Sequence, residues 1–466
     1  MDDDALRFEL LLAREFANRY LPDQPAQRQD LEQLQRSNTF LVDTRAQCRV
    51  LQRLANLHHV TGNQIAENAA LEALVERGES LADDHWRSIA MEYSGMRNHA
   101  LGRYSEARAE FASAANIKGL LGDRAGQAKC VAEVGRMAIH CGDFGGAAAQ
   151  LALASDIATL SGDLLARARA AAYTVVLALE RLNFGTGWEY ANKALELYRS
   201  AGNRVGEAST HTGLGILAQR LWRIEDARKH FGRARELLEP LNMPEFLSAC
   251  LTSTSDLAIE LGLLDEASSL LERAGAQAEA AGIAYALLEC AISTASIAIL
   301  RGDFSSAIRI CRTELPRHVA PDEKAQLLVT MASAEFGLAH FDTSIEMLED
   351  SLPTLRRRNM STALHATFHL ARAYLAAARL DDAQHCVETL LRETVDTGDA
   401  FPRILGPRIL WIAGVAFEAA GEHGRALPMF NRARASLEEL RVLVPDTKTR
   451  GYFAALPLHR EIAAAR

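Results

Sequence analysis

Hydrophobic, small and polar positions recur along this chain in a pattern about forty residues long. Each copy begins with a glycine, a polar residue and an aromatic or aliphatic residue, and an alanine follows three positions after that third residue. From Tyr104 to Phe304 the step between copies is forty residues, and the later steps are 37, 39 and 43. The third position of successive copies is occupied by Tyr104, Phe144, Phe184, Ile224, Leu264, Phe304, Phe341, Leu380 and His423.

Other positions keep the same phase and have helical spacing. A large apolar residue follows the alanine position by four residues and a small residue follows it by seven, which places all three on one helical face. Another small residue, such as Gly135 or Gly215, precedes the alanine position by twelve and lets two helices approach closely. Each copy therefore predicts a helix A of about 17 residues, a tight turn at the glycine, and a helix B of similar length. We find no strand pattern.

A Gly or Asn fifteen residues after the alanine position predicts where helix B ends. Both residue types tolerate the left-handed conformation that commonly ends a helix. These predicted caps are Gly122, Gly162, Gly202, Asn242, Gly282, Asn359 and Gly398.

The pattern resembles the tetratricopeptide repeat in a long, forty-residue form. The match is clearest in the last full repeat, at Trp411, Gly414, Phe417, Ala426, Phe430 and Ala433. The proline that usually ends the second helix of this repeat is absent. The resemblance implies an all-α protein, a right-handed α-α superhelix of about 10–11 helix-turn-helix repeats with a C-terminal capping segment.

Three segments are expected on this basis: divergent N-terminal helical repeats over residues 1–84, a superhelix of nine repeats over 85–440, and C-terminal capping helices over 441–466. In the first segment, residues 4–21 and 26–38 predict a helix pair joined across Pro22 and Pro25, and the stretch at Gly62 is a degenerate repeat. In the last, Asp446 is expected to cap a short helix through Phe453, and Pro457 to start the final one.

The stretch from Arg450 to Ile462 resembles the tail of repeat arrays that follow the ATPase module of STAND-type signalling proteins. The resemblance implies that the chain is the sensor portion of such a protein or a free-standing relative. The ATPase itself is not expected within these 466 residues, because they contain no G-x-x-x-x-G-K-[ST] phosphate loop.

Composition and charge exclude several classes of protein. The formal net charge of −9 argues against direct nucleic-acid binding, which depends on neutralising phosphates. Seven scattered cysteines, with no C-x-x-C, indicate neither a disulfide framework nor a zinc knuckle and fit a reducing compartment. An acidic N-terminus and the lack of an uncharged apolar run of about 18 residues argue against a signal peptide or a membrane span. We therefore expect a cytoplasmic protein.

Candidate chemistry is sparse. His365 and His369 lie one helical turn apart, but no third metal ligand is obvious in the sequence. The acidic pair Asp381 and Asp382 precedes a helix B, where carboxylates favour the helix N-terminus. There is no G-x-S-x-G motif. We expect no catalytic residue, metal or cofactor, and therefore no enzyme.

The tetratricopeptide resemblance implies that the A helices line a concave groove that binds partners. Two groups of residues are prominent there: cations in the N-terminal third, and cations mixed with aromatic rings near the C-terminus. Arg and aromatic residues dominate protein-interface hot spots, although an Arg-rich helix face also arises by chance. Trp411 is expected in the core. The candidate partner-binding residues are Lys129, Arg136, Arg169, Gln219, Asp256, Phe336, Phe368, Arg372 and Arg408.

The sequence thus favours a non-catalytic protein-interaction or sensor module that binds a polypeptide in its groove, with the STAND sensor as one form of it. The alternative is a cytoplasmic regulator that responds to a peptide or small ligand, of the quorum-sensing receptor type. The expected partner is a protein or peptide, not a nucleic acid or a membrane. The sequence leaves homo-oligomerisation open.

Overall fold

A computed structural model describes residues 3–18, 24–61, 63–81, 83–241, 243–281, 283–317, 320–397 and 403–465. These ranges contain helices, turns and bends but no strand. Two short 3₁₀ helices, Glu239–Leu241 and Leu315–Arg317, directly follow the α-helices that end at Leu238 and Glu314. The α-helices are α1 Asp3–Asn18, α2 Gln24–Gln35, α3 Asn38–Val42, α4 Thr44–Val60, α5 Gln64–Ser80, α6 Asp84–Ala100, α7 Tyr104–Leu120, α8 Arg124–His140, α9 Phe144–Ser161, α10 Leu164–Glu180, α11 Phe184–Ser200, α12 Arg204–Arg220, α13 Ile224–Leu238, α14 Pro244–Glu260, α15 Leu264–Ala281, α16 Ala284–Leu300, α17 Phe304–Glu314, α18 Pro321–Gly337, α19 Phe341–Arg358, α20 Met360–Ala376, α21 Leu380–Thr397, α22 Leu405–Ala419, α23 His423–Leu443, α24 Thr447–Ala455 and α25 Pro457–Ala464.

The predicted helix hairpins are confirmed. The A helices are the even-numbered helices from α6 to α22, and the B helices are the odd-numbered ones from α7 to α23. Every A helix from α6 to α20 is 17 residues long. The B helices vary more: α17 has 11 residues before its 3₁₀ turn, and α23 has 21.

The two helices of a hairpin pack through the small and large positions that the sequence pattern pairs. Phe231 of α13 lies so close to Gly215 of α12 that a Cβ on the glycine would be 2.5 Å from the ring. Gly414 and Phe430 repeat this arrangement at 2.6 Å. Phe231 is only 2% exposed. The fixed offset in the sequence is therefore a packing contact, because only a residue without a side chain leaves room for the ring.

The turn between helices A and B has one conformation in all nine repeats. Glycine occupies it in the five clear repeats, with φ between 70° and 81°. In the four weaker repeats the equivalent residues are Leu182, Trp222, Ala339 and Ala378, and they adopt the same left-handed conformation at φ 55° to 62°. Helix packing on both sides of the turn thus imposes a conformation that a non-glycine residue rarely adopts.

The predicted caps after helix B are confirmed at Gly122, Gly162 and Gly202, which have φ of 75°, 71° and 65°. At Asn359 the predicted end of helix B is confirmed, but the left-handed conformation is wrong. Its φ is −147°, its backbone N–H donates to the Leu355 carbonyl at the end of α19, and its side chain accepts a hydrogen bond from the Thr362 N–H and so caps the start of α20. This role suits Asn because its side-chain oxygen satisfies a free amide at a helix start. The remaining predicted caps, Asn242, Gly282 and Gly398, lie outside the described residues.

The ends of the chain follow the sequence pattern with shifted boundaries. The first helix pair is α1 and α2; Pro25 lies inside α2, whereas Pro22 and Gly62 lie outside the described residues. Asp446 caps α24 by accepting the Thr449 N–H at 2.8 Å, and this helix runs to Ala455, two residues beyond the predicted end. The last helix begins at Pro457, as predicted.

The A helices line the inside of the curved array. From α8 to α22, A helices of adjacent repeats contact one another along the superhelix, whereas contacts between adjacent B helices are sparse by comparison. Helices that approach each other more closely lie on the inner side of a bend. The A helices therefore form the concave face, and the B helices form the convex face.

Successive turns of the superhelix contact each other along a line that we call the seam. On one edge the seam is formed by the A–B turns at Gly102, Gly142, Trp222 and Gly262. The opposite edge, one superhelical turn later, contributes Ala320, Arg357, Leu440 and Tyr452. The Trp222 indole N–H donates to the Leu440 carbonyl at 2.9 Å across 218 residues. One turn thus contains about five and a half repeats.

The seam is tightly packed. A Cβ on Gly142 would lie 2.4 Å from the Arg357 carbonyl oxygen, so two backbones touch there. The Trp222 ring lies 5.4 Å from that of Phe453, and these side chains are 2% and 0% exposed. At the N-terminal end of the seam, the Arg358 guanidinium lies 5.8 Å from the centre of the Tyr104 ring. The concave groove is therefore an inner channel whose wall is closed along the seam.

Candidate functional site

The inner channel, lined by the A helices, is the candidate site. Its wall is formed by the A helices of about five and a half repeats per superhelical turn. Tyr285 of α16 and Arg136 of α8 are four repeats apart in sequence. Burial and Glu245 raise the pKa of the Tyr285 hydroxyl, and the charge of Arg136 opposes this rise. Elsewhere in the channel, burial lowers the pKa of His365 of α20 to about 4. The charges of Arg408 and of Arg220 of α12 add to this decrease.

Lys129, the first candidate residue, is not a free cation. Its ammonium group forms an ion pair with Glu92 on the preceding A helix. A second ammonium group, that of Lys118, lies 3.1 Å from the same carboxylate, whose side chain is only 7% exposed. Two lysines from different helices thus neutralise one buried carboxylate, and this pairing stabilises the contact between repeats.

Arg136 and Arg169 converge on a second buried carboxylate, Glu133. Their guanidinium groups lie 2.7 and 3.0 Å from it, and the Tyr173 hydroxyl donates to it at 2.8 Å. Burial alone would raise the pKa of Glu133, but the two arginines and this hydrogen bond lower it to about 2. Arg136 also lies 5.3 Å from the centre of the Tyr173 ring.

The predicted N-terminal group of cations is therefore a network of ion pairs in the channel wall. The sequence reasoning missed Glu133 and Tyr173, because both lie fourteen residues before the alanine position, at an offset that was not assigned to the groove. The spacing of Glu133 and Arg136, three residues apart on one helix, was the available signal for their pairing. The structure brings Arg136 and Arg169 together as predicted, but with a carboxylate between them.

The middle of the channel is acidic. Asp256 of α14 accepts a hydrogen bond from the Ser293 hydroxyl of α16 at 2.8 Å. Both Asp256 and Glu289 reach water inside the channel. The surrounding protein nevertheless displaces part of their hydration, and this desolvation raises the pKa of Asp256 to about 6 and, together with the charge of Asp256, that of Glu289 to about 7.

Gln219 and Glu260 lie beside this acidic region. Gln219 is only 5% exposed, so it is packed in the wall rather than facing the channel. The Arg220 guanidinium lies 4.0 Å from Glu260. In the described part of the chain, no cation lies within ion-pair distance of Asp256 or Glu289.

The predicted aromatic and cationic group near the C-terminus does form. The Arg372 guanidinium lies 4.8 Å from the centre of the Phe336 ring, 5.9 Å from that of Phe368 and 5.7 Å from that of Trp411. Trp411 is half-buried and packs against the core from the channel side. Phe368 is 2% exposed and is a core residue rather than a contact surface.

The last helix of the chain, α25, contacts this group of residues. The Glu461 carboxylate of α25 lies 3.6 Å from Arg372. Burial lowers the pKa of Arg408, and its Nε atom is buried with no hydrogen-bond partner among the described residues. Thus Arg372 is partnered within the chain, and Arg408 retains hydrogen-bonding capacity.

The two histidines on α20 are packed. His365 directs Nδ1 towards the Ser361 carbonyl oxygen at 3.0 Å, and burial lowers the pKa of His369 well below its usual range. Within the described ranges, no group of three or more His, Cys, Asp or Glu side chains could hold a metal ion. All seven cysteines are free thiols, and six of them are buried. Among the helices that the structure describes, none is both long and apolar enough to cross a membrane.

Comparison with solved structures finds similar folds. A Rap protein in complex with competence and sporulation factor matches with a TM-score of 0.56 and 13% identity, over 79% of this chain and 99% of that one. The Rap conjugation gene regulator of plasmid pLS20, in complex with the Phr* peptide, matches with a TM-score of 0.51 and 13% identity, over 76% and 99%.

A STAND protein with a tetratricopeptide-repeat sensor from Pyrococcus horikoshii matches with a TM-score of 0.44 and 13% identity, over 81% of this chain and 55% of that one. No protein-family model and no curated protein matches the sequence. The repeated A–B hairpins, the inner face of A helices and the likeness to the Rap structures agree on one architecture. The chain has the all-α superhelical fold of tetratricopeptide-repeat proteins.

Proposed function

We propose that this protein is a non-catalytic, peptide-responsive regulator that binds a polypeptide segment inside its channel. The observation that carries the proposal is the channel itself, a narrow concave surface lined by charged side chains. Its middle holds two carboxylates, Asp256 and Glu289, on neighbouring A helices without a cationic partner among the described residues. Such groups supply directional contacts for a guest chain.

The fold comparison favours a peptide over a folded protein as the guest. One of the two Rap structures with this fold was solved with the Phr* peptide bound. This supports the second of the two functions that the sequence suggested, the peptide-responsive regulator. The STAND sensor remains a proposal that rests on the resemblance of residues 450–462, which form most of α24 and α25.

The charges in the channel suggest the chemistry of the peptide. The cations of the predicted N-terminal group are already paired with Glu92 and Glu133. Asp256 has no cation within ion-pair distance among the described residues, and only the more distant charge of Arg220 acts on it. A peptide with a basic side chain near its centre would place that charge beside Asp256 and Glu289. The new ion pair would offset the cost of keeping the two carboxylates partly desolvated.

Selection from a library of linear peptides, followed by titration calorimetry, tests the proposal. We expect selected peptides to be enriched in Lys or Arg, and Asp256→Asn with Glu289→Gln to weaken their binding by at least about tenfold. Glu266→Gln, at an exposed position on the outer helix α15, is the matched control and should leave binding unchanged. Failure to select any peptide, or equal affinity for the channel variant and the wild type, would contradict the proposal.

A further inference from the structure

The seam closes the side of the channel over four repeat intervals, from Gly102 to Gly262. Four of the five A–B turns from Gly102 to Gly262 contact the following superhelical turn, at Ala320, Arg357, Leu440 and Tyr452. The fifth, Leu182, is itself 2% exposed. In an open superhelix, a guest chain could enter sideways between successive turns. Here packed protein occupies that path.

The residues of the seam are buried and packed like those of a hydrophobic core. Its apolar part includes Trp222, Leu261, Leu440 and Phe453, which are at most 3% exposed and belong to one continuous hydrophobic cluster. At Gly142 and Gly262 the contact is with backbone carbonyl oxygens, and a Cβ would lie 2.4 and 2.6 Å from them. Opening the seam would expose this apolar surface and break the Trp222 hydrogen bond at the same time.

The channel is also too narrow for a folded guest. One superhelical turn contains only about five and a half repeats, so the A helices, packed about 8–10 Å apart, surround a narrow space. A single extended chain is the widest polypeptide that suits such a space, because a helix with its side chains is about 10–12 Å across.

We infer that a guest enters this channel only through its ends, and therefore must be a polypeptide with a free terminus. An internal loop of a folded protein cannot reach Asp256 and Glu289, whatever its sequence. This inference deepens the proposed function and shares its site. It is tested by covalent thiol labelling, which requires no affinity of a peptide for the channel, so that the two can fail separately.

The test measures how fast thiol reagents of different shape reach the channel. Glu289→Cys places a thiol in the channel, and Glu236→Cys places one on the outer helix α13, both in a Cys141→Ser background because the other six cysteines are buried. Three probes are compared by mass spectrometry: N-ethylmaleimide, a linear peptide with a maleimide at its end, and a maleimide on a surface loop of a folded carrier protein.

We expect the Glu289→Cys thiol to react with the first two probes and at least about 100-fold more slowly with the loop-mounted maleimide. The Glu236→Cys thiol should react with all three. Equal reaction of the loop-mounted maleimide with both thiols would overturn the inference. Should Glu289→Cys lose its helical circular dichroism spectrum, Asp256→Cys probes the same stretch of channel and decides by the same comparison.

The labelling result distinguishes the proposed function from the requirement for a free terminus. If it is obtained but no linear peptide binds, the channel is closed and the proposed function is wrong. If peptides bind and the loop-mounted maleimide also reacts rapidly, the proposed function stands and the requirement for a free terminus is wrong.

Discussion

Glu133 and Arg169 lie on A helices of neighbouring repeats and form an ion pair at 3.0 Å, where the side chain of Glu133 is only 6% exposed. Arg136 and Tyr173 contact the same carboxylate. A buried charge with three partners costs much to remove, because the partners lose their counter-ion in a site with little water. The ion pair therefore links α8 to α10, and its main role is to stabilise the fold.

Glu133→Gln should lower the free energy of unfolding by about 3 kcal/mol, measured as the shift of a urea unfolding curve. The matched control is Asp265→Asn, which removes the exposed pair with Arg301 and should cost less than about 1 kcal/mol. Because the folded-state pKa of Glu133 is lowered to about 2, its stabilisation is present above the unfolded value near 4.5 and is lost as the pH falls towards 2. A variant as stable as wild type at pH 7 would contradict this role.

Gly215→Ala should destabilise the protein, because the added methyl group would meet the Phe231 ring at 2.5 Å. We expect a loss of about 1–3 kcal/mol, typical of overpacking in a core. Gly232→Ala on α13 is the control: its Cβ meets nothing within 4 Å. There the better helix former should stabilise the protein by about 0.5–1 kcal/mol, so the two thermal melting curves should shift in opposite directions.

Ala378→Gly should raise stability by up to about 1 kcal/mol, because Ala378 holds a φ of 58° that glycine adopts without strain. Gly421→Ala makes the reverse change at the equivalent turn, where φ is 77° and no atom crowds the position. It should lose at least as much. If denaturant midpoints moved in the same direction for both variants, backbone conformation would not be the cause.

Glu289→Gln should change how stability depends on pH. The pKa of Glu289 is raised to about 7, so the folded chain keeps its proton above the unfolded value near 4.5, and wild type loses stability as the pH rises through that window. Glutamine cannot ionise. We expect equal melting temperatures near pH 4.5 and a variant that melts about 1–2 °C higher at pH 8. A difference that stayed constant across this range would rule out ionisation as its cause.

The fold was largely predictable, because each forty-residue repeat encodes its own packing. Gly215 and Phe231, sixteen residues apart, specify how one helix lies on the next, and the same pair recurs at Gly414 and Phe430. Asn359 ends α19 as predicted, but its conformation was wrong because the same residue also starts α20. It is the single residue between the two helices, so it is extended and its side chain caps the Thr362 amide.

The candidate site was predictable only in part. The sequence grouped Arg136 with Arg169, and in the structure both contact the Glu133 carboxylate, whereas Arg372 contacts Glu461. It could not show that Glu133 and Glu461 pair with them. The Arg372 partner belongs to α25, the last helix, and the position of that helix is set by packing and not by the repeat phase.

What the sequence by itself determined is the hairpin and its repetition, because small and large residues at fixed offsets define how adjacent helices fit. What only the tertiary structure decided is the closed channel. The contact between Trp222 and Leu440 depends on small rotations summed over about five and a half repeats. No local pattern specifies that sum, although it brings residues 218 positions apart together and closes the wall of the channel.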